Sequence, residues 1–328
     1  MTKPRRTCPQ AAEFFFCDAH LDTLSKMLKF GWGTLADISS DSQVTAGRLR
    51  RSGVGVAVFA LFTENYDRAL PPLMRTLKML DLAHLIVRTH SDWIELARNS
   101  REIARTRNSG KIAMVLAIEN GIVVGNDLSL LRNYYRLGVR LMGLTWNHRN
   151  QLGDGVGAFR GRRGLTAFGR ETVREMQRLG MIVDVSHMNE RTFWQVLEAT
   201  EGPVVATHSN AFSVCKSPRN LTDSQIKALS ERGGFIGLNF CPGFLNDSGE
   251  ATLDDVVRHA EYIAEVGGTR VLAIGSDFDG IIDVPAGLEH IGKMQKLVRA
   301  FERAGFSKAD IAAVCHRNFL RVFRTVCG

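Results

Sequence analysis

The sequence predicts an α/β protein that folds as a single (β/α)₈ barrel of the TIM type. Eight short apolar or β-branched runs recur along its 328 residues, and amphipathic helical patterns separate them, which is the alternation typical of this fold. Several runs also end at a His, Asp or Glu side chain, and in such barrels ligand-type residues collect at the carboxyl ends of the strands. No linker or low-complexity tract divides the chain, so we expect one domain over residues 1–328.

The eight runs are nearly continuous in apolar residues, as strands buried on both faces require. The first, residues 14–22, opens with three phenylalanines and closes on a His and an Asp. The remaining seven follow in chain order: 53–63, 111–121, 139–146, 181–187, 204–209, 234–240 and 271–280. Each run has the length of one strand, so their number indicates an eight-stranded barrel.

Helical patterns fill the segments between these strands. Residues 67–106 are long enough for one long helix or for two helices. Thr222 and Gln225 have the spacing of a capping box, which marks the start of a further helix. The other amphipathic stretches are 165–179, 252–266, 288–304 and 307–326.

Composition excludes several classes of protein. No apolar run approaches the roughly 20 residues of a membrane span. The start of the chain lacks the apolar core and cleavage site of a signal peptide, and its end lacks a hydrophobic anchoring tail. The six cysteines include no CxxC pair, so a metal site would have to use His and carboxylate ligands. We therefore expect a cytoplasmic protein with no membrane partner.

The chain carries 42 Lys and Arg against 34 Asp and Glu, a net charge of +8. Two basic clusters, residues 48–51 and 160–163, have two interpretations: an anion or nucleic-acid patch, or ordinary solvated surface. Neither cluster has interleaved aromatic residues or a nucleic-acid-binding motif, so we favour solvated surface and expect no nucleic-acid partner. The second cluster lies beside a candidate active-site loop, where it could attract an anionic substrate.

Ligand-type side chains end five of the eight runs. Residues i and i+2 of a strand share a face, so His20 and Asp22 point the same way at the end of the first run. The others are Glu119, His187, His208 and Asp277. Each one alone is more typical of a loop or a helix cap than of a metal ligand. Buried charged groups gathered at one barrel mouth must pair or bind a metal, so the set predicts a metal centre.

These segments, in this order, resemble the membrane (renal) dipeptidase family of zinc metallopeptidases. The resemblance rests on DAHLD at 18–22, IENG at 118–121, DVSH at 184–187, THSN at 207–210, SVCKSPRN at 213–220, GSDFDG at 275–280 and NFLRVF at 318–323. These motifs span nearly the whole chain, and the ordered set is far more specific than any one of them. The resemblance implies a soluble, bacterial-type member with a (β/α)₈ barrel of the metallo-dependent hydrolase type.

The same resemblance implies that two Zn²⁺ ions bind to each chain. His20 and Asp22 would hold the first zinc, and His187 and His208 the second. Glu119 would bridge the two and so serve as both a ligand and a catalytic residue. Zinc agrees with these residue types, because imidazole and carboxylate suit this borderline metal, although manganese and iron remain alternatives.

The resemblance also implies two roles toward the substrate. Arg219 would bind the C-terminal carboxylate, and Asp277 would contact the substrate and transfer a proton. One departure lies at the end of the fourth run, where mammalian members have a substrate-contacting His directly after Leu-Thr. Here Trp146 occupies that position, so either His148 reaches the same space or Asn147 replaces the missing imidazole.

The function that the resemblance implies is zinc-dependent hydrolysis of small dipeptides, with a D-residue at the C-terminal position left open. A hydroxide bridging the two metals would attack the peptide carbonyl, and Asp184 and Asp279 would orient the ligands. One alternative is another binuclear-metal amidohydrolase, acting on acylated D-amino acids, lactones or cyclic amides. A nucleic-acid-binding protein with structural zinc is disfavoured, because structural zinc sites are usually closed and rich in Cys. A homodimer is expected as the commonest oligomer.

Overall fold

Nine parallel strands are present in the computed structural model, which describes residues 14–66, 70–158 and 163–328. They are β1 (Phe16–Leu21), β2 (Val54–Phe62), β3 (Ile94–Leu96), β4 (Ile112–Glu119), β5 (Val139–Gly143), β6 (Ile182–Asp184), β7 (Val204–Val205), β8 (Ile236–Leu238) and β9 (Leu272–Ile274). Eight of them pair in the order β7-β6-β5-β4-β2-β1-β9-β8. The amides of Ala206 and Gly237 link β7 to β8 through bonds of 2.9 and 2.8 Å, which nearly closes the barrel and confirms the predicted fold.

Strand β3 corrects the prediction of an all-helical segment over residues 67–106. The described part of that segment forms helix α3 (Pro72–Thr89), strand β3 and helix α4 (Ser100–Asn108). Strand β3 pairs with the first half of β4, which β5 leaves uncovered because β5 joins β4 only from Leu116 onward. Pairing with an open strand edge and burial of Ile94 decide the conformation there, so tertiary context overrides the local helical pattern.

Helices surround the barrel and follow most of its strands. Besides α3 and α4 they are α1 (Thr23–Phe30), α2 (Ala46–Arg51), α5 (Leu128–Arg136), α6 (Ala167–Leu179), α7 (Glu190–Ala199), α8 (Asp223–Glu231), α9 (Pro242–Leu245), α10 (Leu253–Gly267), α11 (Gln295–Arg303), α12 (Lys308–Ala312) and α13 (Asn318–Cys327). The predicted capping box is present, since Thr222 caps α8 and pairs with Gln225. The predicted helix over 307–326 is divided into α12 and α13 by a π turn, Ala313–Arg317.

The core has two layers because alternate strand residues face opposite ways. In β4, Met114, Leu116 and Ile118 pack outward against the helices. Alanine and valine side chains of the same strand, at 113, 115 and 117, pack inside the barrel with apolar residues of the other strands. Phe319 and Phe323 of α13 join this inner layer and close the barrel at the amino ends of its strands. Glu119 continues the inward-facing set of β4, which directs its carboxylate into the mouth of the barrel.

Of the two basic clusters, only residues 48–51 are fully described. Arg48 donates a hydrogen bond to the carbonyl of Ser42, and the guanidinium of Arg50 lies 5.6 Å from the ring centre of Trp93. The second cluster lies outside the described residues except for Arg163. Among the helices that the structure describes, none combines the length and apolarity needed to cross a membrane.

Candidate metal centre

The five predicted metal ligands meet at the carboxyl end of the barrel. His20 lies near the end of β1, Asp22 directly follows that strand, and Glu119 is the last residue of β4. His187 and His208 each lie three residues beyond the end of their strand, β6 and β7 respectively. All five side chains belong to residues that are more than nine-tenths buried. The sequence prediction that these residues converge is therefore matched by their positions.

Glu119 occupies the centre of this cluster. Its Oε2 atom lies 3.2 Å from Nε2 of His20, whereas its Oε1 atom lies 2.9 Å from Nε2 of His187 and 3.7 Å from Nε2 of His208. The two oxygens of one carboxylate thus face different imidazoles. Asp22 approaches from the side of His20, with 3.4 Å between its Oδ2 and Nε2 of that residue.

Two features of this cluster fit a bound divalent metal. His187 and His208 face each other with their Nε2 atoms 2.9 Å apart, and both nitrogens also face Glu119. The Oδ1 atom of Asp22 is buried and has no hydrogen-bond partner among the described residues. Lone pairs of imidazole and carboxylate that converge without enough protons to satisfy them are the donors that zinc uses. These residues therefore suit a metal better than a purely structural hydrogen-bond network.

Burial and crowding shift the pKa values of these groups. Burial opposes ionisation of Glu119, but charge on His20 and the hydrogen bond from His187 hold the pKa of Glu119 well below its usual range. Burial lowers the pKa of His187 to about 4, and the nearby Arg219 adds to the shift. Burial likewise lowers the pKa of His208. Both of these imidazoles are therefore neutral near pH 7, which is the form that binds metals.

Asp277 adds a third carboxylate to the centre. Its ligand atom and those of His20 and Asp22 all lie within 4.8 Å of one another. Asn239 donates a hydrogen bond of 2.9 Å to Oδ2 of Asp277 and so fixes the orientation of the carboxyl group. Burial raises the pKa of Asp277 to about 8, with charge on His20 opposing the shift and the Asp22 and Glu119 carboxylates adding to it. Asn239 was not predicted, although it is a polar residue at the end of the seventh run and so met the same criterion.

Hydrogen bonds from behind orient the imidazoles. Nδ1 of His187 lies 2.8 Å from Oδ1 of Asn147. The hydroxyl of Thr207 lies 2.9 Å from Nδ1 of His208 and donates a 2.6 Å bond to Asp184. Asp184 therefore acts on His208 through Thr207, which is consistent with its predicted orienting role. Thr207 itself was not predicted, because a Thr in an apolar run does not stand out in the sequence as a ligand partner. Such partners fix the tautomer and the direction of metal-binding imidazoles.

Asp279, which was expected to orient metal ligands, instead contacts the neighbouring loops. Its carboxylate accepts hydrogen bonds from the hydroxyls of Thr23 and Ser42, each 2.8 Å long, and lies 3.1 Å from Nζ of Lys26. The amide of Gln43 donates a further bond of 3.0 Å. These contacts join the start of α1 and the segment before α2 to the loop after β9. Asp279 therefore holds the loops beside the centre together, and its side-chain contacts among the described residues include none of the predicted ligands.

Arg219 lies behind the metal-ligand cluster and beside a cavity. Its guanidinium donates a hydrogen bond of 3.1 Å to the carbonyl of His208, and its Nε atom is buried without a hydrogen-bond partner in the described part of the chain. A cavity of about 780 Å³ extends from His187 to Arg219 and is lined also by Met188 and Trp194. The cavity thus connects a predicted metal ligand with a buried cation that has unused hydrogen-bonding capacity.

Trp146 and His148 lie at the rim of the site. The half-buried ring of Trp146 has its centre 5.2 Å from that of Phe62 and 6.0 Å from that of His187. His148 is exposed, and its ring is edge-on to Trp146 at 6.0 Å. Asn147, between them, contacts His187 as described above. A substrate contact by His148 stays a prediction.

Four non-glycine residues of the described chain have positive φ angles, and all lie in the loops of this centre. They are Asn120 (76°), His187 (65°), Asp277 (64°) and Asp279 (69°). The left-handed region costs a residue with a Cβ atom roughly 1–2 kcal/mol. The surrounding structure therefore holds a predicted ligand and a predicted proton carrier in conformations that the free chain disfavours.

Comparisons with known proteins show which family and which folds the chain resembles. A family model described as "Membrane dipeptidase (Peptidase family M19)" matches residues 7–327. An uncharacterized dipeptidase of Schizosaccharomyces pombe, C965.12, is 34% identical over 293 residues, which cover 84% of this chain and 70% of the relative. A solved dipeptidase AC, a metallopeptidase of family M19, is 27% identical with a TM-score of 0.89 and covers 97% of this chain and 100% of its own. A metallopeptidase of Rhodobacter sphaeroides, liganded with a phosphinate mimic of the dipeptide L-Ala-D-Ala, is 26% identical with a TM-score of 0.87 and covers 95% and 99%.

Proposed function

The chain belongs to the membrane dipeptidase family, peptidase family M19, and is a metallo-dipeptidase; on this premise we propose that two zinc ions at the barrel mouth serve the hydrolysis of dipeptides. Residues 1–328 are taken as one catalytic domain. The observation that carries the proposal is the position of Glu119, whose two oxygens face His20 on one side and His187 with His208 on the other. A carboxylate so placed suits a bridging ligand.

The ligands divide into two sets around that carboxylate. His20 and Asp22 would hold one zinc, and His187 and His208 the other. Asp22 supports this division, because its Oδ2 atom faces His20 while its Oδ1 atom has no hydrogen-bond partner among the described residues. When bound, a pair of divalent metals lowers the pKa of a water molecule toward about 7 and polarises the carbonyl of the scissile bond.

Asp277 is proposed to carry the proton. Its carboxyl group stands within 4.8 Å of the ligand atoms of His20 and Asp22, next to the space where a water molecule would attack. The bond from Asn239 holds Oδ2, and the charge of bound divalent metals would offset the burial that raises the pKa of Asp277, so Oδ1 could accept a proton from the attacking water and deliver it to the leaving amine. The positive φ of Asp277 supports this role, since a strained backbone at such a position maintains a particular side-chain direction.

Arg219 is proposed to bind the substrate's C-terminal carboxylate. A guanidinium offers a planar set of donors that matches a carboxylate, and the buried Nε atom of Arg219 has no other partner in the described chain. The cavity of about 780 Å³ beside it would receive the side chain of the C-terminal residue. The ligand of the Rhodobacter sphaeroides relative supports dipeptides with a D-residue at that position. His148, beside Trp146 at the rim, is proposed to contact the substrate's amino end.

The test combines metal analysis with a panel of substrates. We expect about two zinc ions per chain and hydrolysis of dipeptides, including those with a C-terminal D-residue. Amidated dipeptides, which lack the free carboxylate, should be hydrolysed at least tenfold more slowly, since the charge-assisted bonds to Arg219 are lost. Glu119→Gln should lose both metal and activity. Glu175→Gln is the matched control, because Glu175 lies on α6 and pairs with Arg132 and Arg178, none of which belongs to the metal centre.

Three results would contradict the proposal. Full activity after metal removal would exclude the metal mechanism. Equal rates on free and amidated dipeptides would exclude the role of Arg219. Faster turnover of acylated D-amino acids, lactones or cyclic amides than of any dipeptide would favour the alternative amidohydrolase function. The homodimer and the cytoplasmic location remain predictions, which light scattering and fractionation would test.

A further inference from the structure

A second cavity lies at the opposite end of the barrel from the metal centre. It has a volume of about 500 Å³ and is lined by residues of α4, of α13 and of the turn before α13. Arg107 packs on Phe15, directly before β1, and Arg321 donates hydrogen bonds to the carbonyls of Gly233 and Gly234, just before β8. The cavity therefore lies at the amino ends of the strands, whereas the predicted metal ligands lie at the carboxyl ends.

Arginine dominates the wall of this cavity. Five of its nine lining residues are arginines and none is acidic; the five are Arg101, Arg107, Arg317, Arg321 and Arg324. The ion pairs that arginines form in the described chain involve other arginines, such as Arg105 and Arg178. Like charges collected in a concave surface create a local positive potential that attracts anions, and none of these five arginines has an ion-pair partner among the described residues.

Three of the five guanidinium groups are not engaged in holding the fold. Arg321 binds backbone carbonyls, and Arg107 stacks on the ring of Phe15 with 3.2 Å to its centre. Arg101, Arg317 and Arg324 are exposed, and the described part of the chain provides none of them with a hydrogen-bond or ion-pair partner. Their donors are therefore available to a ligand.

The shape and lining of the cavity restrict the ligand. A guanidinium pairs in bidentate fashion with phosphate, so three available groups suit a ligand with several phosphates. Ile103 and Leu320 supply an apolar surface beside the arginines, which suits a ring system. The volume lies in the range of small-molecule sites and is small for a nucleic-acid duplex, which needs an extended surface.

We propose that this cavity binds a small molecule that carries two or more phosphate groups and an aromatic ring, as a nucleoside diphosphate or triphosphate does. Titration calorimetry on the metal-loaded full chain, with ADP, tripolyphosphate and inorganic phosphate as probes, tests this. ADP and tripolyphosphate should bind at about 0.1 M salt, and inorganic phosphate should bind at least tenfold more weakly. Raising the salt concentration to about 0.5 M should weaken all binding.

Variants locate the site. Arg101→Ala and Arg324→Ala should each weaken ADP binding about tenfold, as expected for the loss of a charged hydrogen-bonding group. Arg299→Ala is the matched control, since Arg299 is an exposed arginine on α11 outside the cavity. Dipeptide hydrolysis should be the same in all three variants, which would show that the fold and the metal centre are intact.

Several outcomes would overturn the proposal. Absence of binding to the unmodified protein would do so directly. Undiminished binding to the Arg101→Ala Arg324→Ala double variant would place the phosphates elsewhere, for example on the metal ions. Equal weakening in Arg299→Ala would show that only overall charge matters. Tighter binding of a short DNA duplex than of ADP would indicate an extended polyanion surface in place of a small-molecule site.

Discussion

Replacing Asn147 with Ala should weaken the metal position that contains His187 and leave the other position intact. The ring of His187 is held from both sides, since Nδ1 lies 2.8 Å from Oδ1 of Asn147 and Nε2 lies 2.9 Å from Oε1 of Glu119. An amide oxygen only accepts hydrogen bonds, so Asn147 keeps the ring proton on Nδ1. The lone pair of Nε2 is then free for a metal.

The size of the effect follows from this geometry. Loss of a partner that orients a ligating imidazole typically costs 10- to 100-fold in metal affinity, or about 1.4–2.7 kcal/mol. Asn147 is half-buried, so water can replace part of the lost bond, and we expect a loss of about tenfold, toward the lower limit. Within the described part of the chain, His187 is the one predicted ligand that the side chain of Asn147 hydrogen-bonds, so we expect the loss to fall on one of the two metals.

Competition with a chromophoric zinc chelator measures the effect. At the lowest free zinc that fills both positions of the unmodified protein, Asn147→Ala should retain about one zinc per chain. Asn147→Asp keeps an acceptor oxygen and should restore the second zinc, whereas Asn133→Ala, at an exposed position of α5, should change nothing. Wild-type affinity for both metals in Asn147→Ala, or equal loss of both, would refute the orienting role.

Three further predictions concern the centre and the fold. Asp277→Asn should retain both metals but lose at least a hundredfold in kcat, as expected when a proton-transferring group is removed; normal turnover would assign the proton to another group. Gly280→Ala should weaken metal binding, because the added Cβ would lie 2.3 Å from Oδ2 of Asp22 and 2.7 Å from Oδ1 of Asp277, whereas Gly202→Ala, whose Cβ meets nothing within 4 Å, should bind metal normally. Burial lowers the pKa of His259 to about 4, below its unfolded value, so the unfolded chain binds the extra proton and stability falls as the pH drops below about 6.5. His259 alone should contribute about 2 kcal/mol to the loss of stability between pH 7.5 and pH 5, so in urea unfolding the loss in His259→Gln should be smaller by about that amount; an unchanged loss would contradict this assignment.

The barrel could be predicted from the sequence because each of its strands has its own local pattern of apolar residues. Each strand is a short apolar run of its own, so the number of strands follows without knowledge of their pairing. Strand β3 was not predicted from the sequence. Its three residues form a strand because they pair with β4, and the local pattern of residues 94–96 does not indicate that pairing. The division of the last helical stretch by a π turn is similarly a matter of packing.

The candidate site was predictable to the extent that its residues end strands. Glu119 ends β4 and His20 lies next to the end of β1, whereas His187 and His208 follow their strands by three residues; all four belong to the family motifs. Asn147 and Thr207 act from behind the ligands, and their roles depend on distances between loops that are far apart in the chain. No sequence spacing of Asn or Thr predicts such a contact, so it is recognised only in the three-dimensional structure.

The left-handed backbone at His187 and Asp277 has an evolutionary consequence. Glycine adopts this conformation without a steric penalty, so in the metal-free protein a glycine at either position would relieve up to about 1–2 kcal/mol of backbone strain. Laboratory selection for thermal stability of the metal-free protein should therefore enrich glycine at these two positions, whereas selection that also requires turnover should retain His and Asp. A difference in residue between the two selected populations at positions 187 and 277 would show that these positions lower stability but are needed for catalysis.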